Sequence, residues 1–239
     1  PRQAVNWPTS GFTFQDTFNI KNTTNWTWSA HQTVPHPDGG NNVVRNVGTG
    51  SNYDANFYRS TYSLANGKGL QLRFKVNQTD TTAVFAVEAN DSTYRRFGVI
   101  ANEGKLYVQY RDDGATWRYP ADILTNLQVN TWYVLRIVVD DSGRGFYVEA
   151  YQENVPTMRG SYNLTMPTGK AWRFHHWIYR GIAYLDDYRE FNTNGLSWTP
   201  DERMGFTYDA LDRLVGASPV NGGQGYNKTY SYNQIGNMT

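Results

Sequence analysis

Residues 70–76 read Leu-Gln-Leu-Arg-Phe-Lys-Val, apolar side chains alternating with Gln71, Arg73 and Lys75. A period of two with one wet face is the pattern of a half-buried β-strand. The same kind of pattern predicts strands at Phe57–Leu64, Ala83–Glu88, Tyr94–Ala101, Lys105–Tyr110, Thr116–Tyr119 and Gly145–Tyr151. Trp132–Val139 is apolar on both parities, as expected of a strand covered on both faces. Turn signals separate these segments: Asn90-Asp91-Ser92, Asn102-Glu103-Gly104, Asp112-Asp113-Gly114 and Asp141-Ser142-Gly143. Spacing this short favours hairpins, so residues 70–119 are expected to form a meander within one sheet. Ala121–Leu127 could make a helical turn and no more. Many short strands so spaced argue for a two-sheet antiparallel sandwich in an all-β protein.

Composition agrees with that reading. Aromatic residues make up 15% of the 239-residue chain and charged residues only 18%. Aromatic side chains suit pleated, half-buried surfaces, and the abundant Gly and Asn supply tight turns. The net charge of +1 and the lack of a basic run give no electrostatic footprint for nucleic acid. No apolar stretch is long enough to span a bilayer as a helix. There is no cysteine, so disulfides and thiolate metal sites are excluded.

The pattern changes near Asn192-Thr193-Asn194-Gly195, which divides the chain into a sandwich over residues 1–195 and a connector with a second kind of sequence over 196–239. The second part has an internal echo. Tyr208-Asp209 and Tyr232-Asn233 begin comparable units 24 positions apart, a period in the range of repeat architectures.

Tyr208-Asp209-x-x-Asp212-Arg213-Leu214 and Tyr230-x-Tyr232-Asn233-x-x-Gly236-Asn237-Met238-Thr239 resemble the YD (Rhs-type) repeats of large secreted bacterial proteins. Asp212 stands where that family usually has Gly, Asn233 where it has Asp, and Met238 where it has Leu. The resemblance implies the start of an array of stacked β-hairpins, with more chain to follow, and an extracellular or cell-surface location. One repeat cannot bury its own apolar face, so it is expected to dock, stay mobile or pair with another chain through its strands.

The body is similar to the concanavalin A-like (laminin-G-like) jelly-roll modules. The residues that carry this are Phe14-Gln15-Asp16-Thr17-Phe18 with Asn25-Trp26-Thr27, then Asn130-Thr131-Trp132-Tyr133-x-Leu135-Arg136-Ile137, and finally Ala183-Tyr184-Leu185-Asp186-Asp187-Tyr188. The resemblance implies two curved antiparallel sheets with a sugar bound on one face or at edge loops.

Sugar recognition needs a flat aromatic surface and a few fixed polar groups. Alternation in the meander places Arg73, Tyr94, Arg96, Tyr107 and Gln109 on the face away from the core, with Trp117 nearby. These six residues are the candidate glycan site; read otherwise, they form a solvated sheet face. Trp172–Arg180 is aromatic on both parities, which assigns Trp177 a structural role. Catalysis on this fold requires two carboxylates about 5 Å apart on one strand face. The nearest arrangement, Glu88-Ala89-Asn90-Asp91, has odd spacing. His175 and His176 are adjacent and point to opposite faces of a strand, so they cannot share a metal. Asp16 with Asp187 (or its neighbour Asp186) are the candidate ligands for a structural calcium, since oxygen donors suit it and the ends of a jelly roll lie close together; read otherwise, these acids pair with arginines such as Arg189 or cap turns. The function expected is non-catalytic carbohydrate recognition or adhesion. The alternatives are an assembly module pairing through its tail strands and a glycan-cleaving enzyme.

Overall fold

The computed structural model describes residues 8–29, 31–50, 55–65, 67–90, 95–112, 116–139, 146–164, 170–193, 204–209, 213–219, 228–229 and 231–232. The chain divides into two compact units, Pro8–Asn194 and a second formed by Gly195–Thr239 with Pro1–Trp7. Every regular element among the described residues is a strand.

The first unit begins with β1 (Phe14–Asp16), β2 (Trp26–Trp28), β3 (Gln32–Pro35), β4 (Asn42–Thr49) and β5 (Ala55–Arg59). Next come β6 (Lys68–Val76), β7 (Thr82–Ala89), β8 (Arg96–Asn102), β9 (Lys105–Arg111) and β10 (Asp122–Leu124). It closes with β11 (Tyr133–Val139), β12 (Phe146–Gln152), β13 (Val155–Leu164) and the 21-residue β14 (Trp172–Asn192). All pairings are antiparallel, and the main path runs β10-β9-β8-β7-β14-β6-β11-β12-β13. The fold is a jelly-roll sandwich.

β14 is the element that makes two layers out of this path. Its first half, Trp172–Arg180, pairs with β7, and its second half, Ala183–Asn192, pairs with β6. On its other side it takes β5, β4 and β1 in turn. The strand passes from one layer to the other at Gly181, whose φ of +86° a side chain would strain. A Cβ there would also collide with the Thr81 hydroxyl. The residue is glycine because backbone angle and crowding both demand it.

The core lies between the layers and is largely aromatic. Phe97 of β8 meets Phe146 of β12 with ring centres 5.1 Å apart, and Phe146 stands edge-on to Trp172 at 4.7 Å. Phe74 of β6 and Phe85 of β7 are 4.6 Å apart, so strands that never pair are joined by packing. Trp26 stacks on Phe57 at 4.4 Å and closes one end. Burying this much apolar area, at roughly 25 cal/mol per Å², is the dominant favourable contribution to folding.

Four strand-level expectations need correction. The strand expected at Phe57–Leu64 stops at Arg59, and Leu64 makes only a lone bridge to Trp172. The meander is β7–β10, not residues 70–119, because β6 belongs to the opposite layer. Period-two burial is the same in either layer and could not assign it. Asp122–Leu124 is a strand on the edge of β9 and not a helical turn, since Ile123 and Leu124 are drawn into the core. Thr116–Tyr119 is joined to β9 through one bridge, Tyr110 to Arg118, and makes no full strand. The Asn102–Lys105 turn does form a two-residue hairpin loop, with φ of 52° at Glu103 and 71° at Gly104.

In the second unit β15 (Met204–Tyr208), β16 (Leu214–Pro219) and β17 (Lys228–Thr229) form a three-stranded antiparallel sheet. The turn between β15 and β16 is held by Asp209, whose carboxylate accepts from the Arg213 backbone N–H at 3.0 Å and from its Nε at 2.7 Å. The Arg213 guanidinium lies 4.7 Å from the centre of the Tyr232 ring. The two units that echo each other in sequence therefore touch through this arginine.

Candidate glycan-binding site

The outer face of the β9-β8-β7-β14 layer carries a cavity of about 470 Å³ lined by Asn56, Val84, Arg96, Gln109, Arg111, Trp117, Tyr119, His175 and Trp177. That volume is within the range of about 300–1,000 Å³ usual for small-ligand sites. Alternation builds it. Phe85 and Val87, Phe97 and Val99, Leu106 and Val108 point into the sandwich. Their strand neighbours Val84, Arg96, Gln109, Arg111, His175 and Trp177 must then point out.

Beneath the polar side of the cavity lies Glu88, 2% exposed. Its Oε2 accepts from Arg96 Nε at 2.6 Å and from His175 Nδ1 at 3.0 Å, and its Oε1 accepts from Arg173 Nη2 at 2.9 Å. Burial alone would raise the Glu88 carboxyl, but His175, Arg96 and Arg173 together hold it well below the usual carboxylate range. Burial lowers the His175 pKa, and the neighbouring arginines add to this against the pull of Glu88. His175 is therefore neutral at pH 7. It donates from Nδ1 to Glu88, and its Nε2 lies 3.1 Å from Asn56 Oδ1.

The aromatic side is built from two indoles 6.3 Å apart, Trp117 and Trp177. Trp177 sits in a small apolar cluster with Val84, Ala86 and Ile100, against which Trp117 and Tyr107 pack. Trp117 reaches this face because the Tyr110–Arg118 bridge, with two backbone hydrogen bonds of 3.0 Å, holds its segment beside β9. The Arg96 guanidinium lies 4.7 Å from the centre of the Trp177 ring, and that of Arg111 lies 5.1 Å from Trp117.

Of the six residues chosen from the sequence, the cavity brings together Arg96, Gln109 and Trp117. Tyr107 lines a neighbouring depression of about 320 Å³ and meets Tyr119, which borders both, edge-on at 5.6 Å. Tyr94 lies outside the described residues. Arg73 is on the other layer, where it is ion-paired with Asp186 and Glu153 at 2.8 Å each and stacked on Trp132. Its alternation was read correctly but its sheet was not. Trp177, assigned a structural role, lines the cavity while only 5% exposed. His175, Asn56, Arg111 and Tyr119 were missed. Arg111 continues the parity of Tyr107 and Gln109, and His175 shares that of Arg173, so alternation carried a signal for two of them.

Asp16 and Asp187 stand on paired strands, Asp16 opposite Tyr188. Asp16 accepts from the Phe18 backbone at 2.8 Å, from Trp26 Nε1 at 2.9 Å and from Asn22 at 3.2 Å. Asp187 sits at a bulge with φ of 48°, and both its oxygens face Arg189. Asp16 thus already accepts three hydrogen bonds, and Asp187 is ion-paired with Arg189. Among the described residues there is no group of three or more His, Asp or Glu placed to hold a metal.

No family model matches this sequence, and no curated protein matches it. Solved structures share its fold at low identity. A GH43 glycoside hydrolase engineered for endo-xylanase and exo-arabinofuranosidase activity aligns over 78% of this chain with 14% identity and a TM-score of 0.54. The chain spans 42% of that enzyme's length. The exoplasmic/lumenal domain of VIP36, in a form bound to Ca2+ and Man3GlcNAc, aligns over 72% of this chain and 85% of its own, with 11% identity and a TM-score of 0.52. A glycosyl hydrolase family protein from Mycobacterium fortuitum aligns over 76% of this chain and all of its own, at 16% identity and a TM-score of 0.50. These likenesses establish the fold.

Proposed function

We propose that the Pro8–Asn194 unit is a non-catalytic carbohydrate-recognition module that takes its sugar in the cavity between Trp117 and Trp177. The observation that carries this is the cavity's construction. Trp117, Trp177 and Tyr119 supply aromatic surface, and Arg96, Gln109, Asn56 and His175 supply polar groups around it. Sugars present an apolar ring face and a rim of hydroxyls, which such a lining matches. The VIP36 domain, of the same fold, was solved with Man3GlcNAc bound, and this supports the reading. A binding role is favoured over hydrolysis because no carboxylate lines the cavity among the described residues. Glu88 is enclosed by two arginines and a histidine, whereas hydrolysis of a glycosidic bond ordinarily takes two carboxyl groups facing the substrate.

The second unit extends the proposal. Its hairpin turn, closed by Asp209 and Arg213, together with the YD-type sequence echo, supports a place in a larger secreted or surface protein of that repeat class. The test of the binding role is a glycan array followed by calorimetry on the best hit. Trp117→Ala is expected to weaken binding by about ten-fold or more, with the melting transition unchanged. An array without signal, or unaltered affinity in Trp117→Ala, would refute it. Release of sugar fragments from mixed polysaccharides would favour an enzyme instead.

A further inference from the structure

We infer that the sugar accepted by this cavity is an acidic one, bearing a carboxylate or a sulfate; this rests on the glycan reading above and narrows it. The indoles are not simply open platforms. Trp177 has the Arg96 guanidinium 4.7 Å from its ring centre, and Trp117 has Arg111 at 5.1 Å and Arg96 at 5.9 Å. A guanidinium laid on an aromatic face keeps its in-plane N–H edges for hydrogen bonding, the geometry that recognises planar oxyanions in a bidentate way. Arg96 spends its Nε and Nη2 on Glu88. Its Nη1 makes no hydrogen bond to the described residues, and the side chain is 20% exposed at the cavity wall.

The charge balance points the same way. Arg96 and Arg111 line the cavity, and Arg173 stands behind it. Among the described residues the lining contains no acid, and the one carboxylate at its base, Glu88, already accepts from Arg96, Arg173 and His175. His175 is neutral there, held so by burial and the adjacent arginines. Two guanidiniums, Arg96 and Arg173, therefore share one enclosed carboxylate, leaving positive potential in a recess walled by low-dielectric indoles, where field lines concentrate. A neutral sugar would leave that charge unanswered, whereas an anionic one would form charge-assisted hydrogen bonds to it.

The test compares matched polymers that differ in charge: polygalacturonate with its methyl ester, and dextran sulfate with dextran. The charged member of at least one pair is expected to bind about ten-fold or more tightly than its neutral partner, with affinity falling as salt rises. Arg111→Gln should remove about ten-fold of that affinity, and Arg111→Lys should retain part of it. Arg180→Gln, at an exposed arginine outside the cavity, should change nothing. Equal binding of neutral and charged partners would overturn the inference, as would charged binding indifferent to Arg111→Gln. Binding confined to neutral glycans on the array would overturn it while leaving the recognition role intact. No binding to any glycan would overturn both.

Discussion

The imidazoles of His31 and His176 meet edge to face inside the sandwich with ring centres 5.8 Å apart. His176 is fully buried and donates from Nδ1 to the Val84 carbonyl at 2.7 Å. Neither nitrogen of His31 and not the Nε2 of His176 has a hydrogen-bond partner among the described residues. Burial, reinforced by the neighbouring imidazoles, lowers the pKa of His31 to about 2 and that of His176 to about 3. The unfolded chain takes up protons at both sites below about pH 6.5, while the folded protein refuses them. Stability is therefore full above that pH and is lost as the pH falls toward the folded values. Between pH 6.5 and 5 each histidine should cost about 2 kcal/mol. Urea unfolding across this range measures the loss, and His31→Phe should reduce its slope by at most about half, since His175 also adds to it. An unaltered slope would remove His31 from the explanation.

Glu88 adds a second acid-sensitive contribution at lower pH. Its folded pKa is depressed by His175, Arg96 and Arg173 in spite of burial, so its stabilisation is present above the usual carboxyl value of 4.5 and is lost as the pH drops below it. Glu88→Gln leaves two guanidiniums without their counter-charge and should destabilise the protein at pH 7 by about 3 kcal/mol. Denaturant midpoints of the wild type and the variant should converge between pH 5 and 3. A constant gap over that interval would mean that the ion cluster is not the source.

Gly181→Ala tests the crossing of β14 between layers. A left-handed alanine costs about 1–2 kcal/mol, and its methyl carbon would press on Thr81. Together these should destabilise the protein by about 3 kcal/mol. Adding Thr81→Gly should recover the steric part and leave the backbone part. A neutral Gly181→Ala would show that the strand does not turn there as described.

Chelation is expected to leave the melting temperature unchanged, because Asp16 is held by hydrogen bonds from Phe18, Trp26 and Asn22 and the charge of Asp187 is balanced by Arg189. Differential scanning calorimetry with and without EDTA checks this. A lower transition in EDTA would show a cation holding the fold, at Asp16 and Asp187 or elsewhere.

Alternation by itself determined which side chains of Leu70–Val76 and Lys105–Tyr110 turn inward, because a pleated backbone leaves no choice once one face is apolar. It thereby selected Arg96 and Gln109 for the outer face, and the turn residues fixed the Asn102–Lys105 hairpin. Tertiary structure decided which strands share a layer. Arg73 and Arg96 have the same local pattern, yet β6 and β7 pair with different halves of β14. That division depends on a strand about a hundred residues away bending at Gly181, which no local pattern records. It placed Glu88, Arg96, Arg173 and His175 around one another and carried Arg73 to the other sheet. Trp177 shows the same limit, since an aromatic residue on a two-sided strand reads alike whether it meets a second sheet or a cavity.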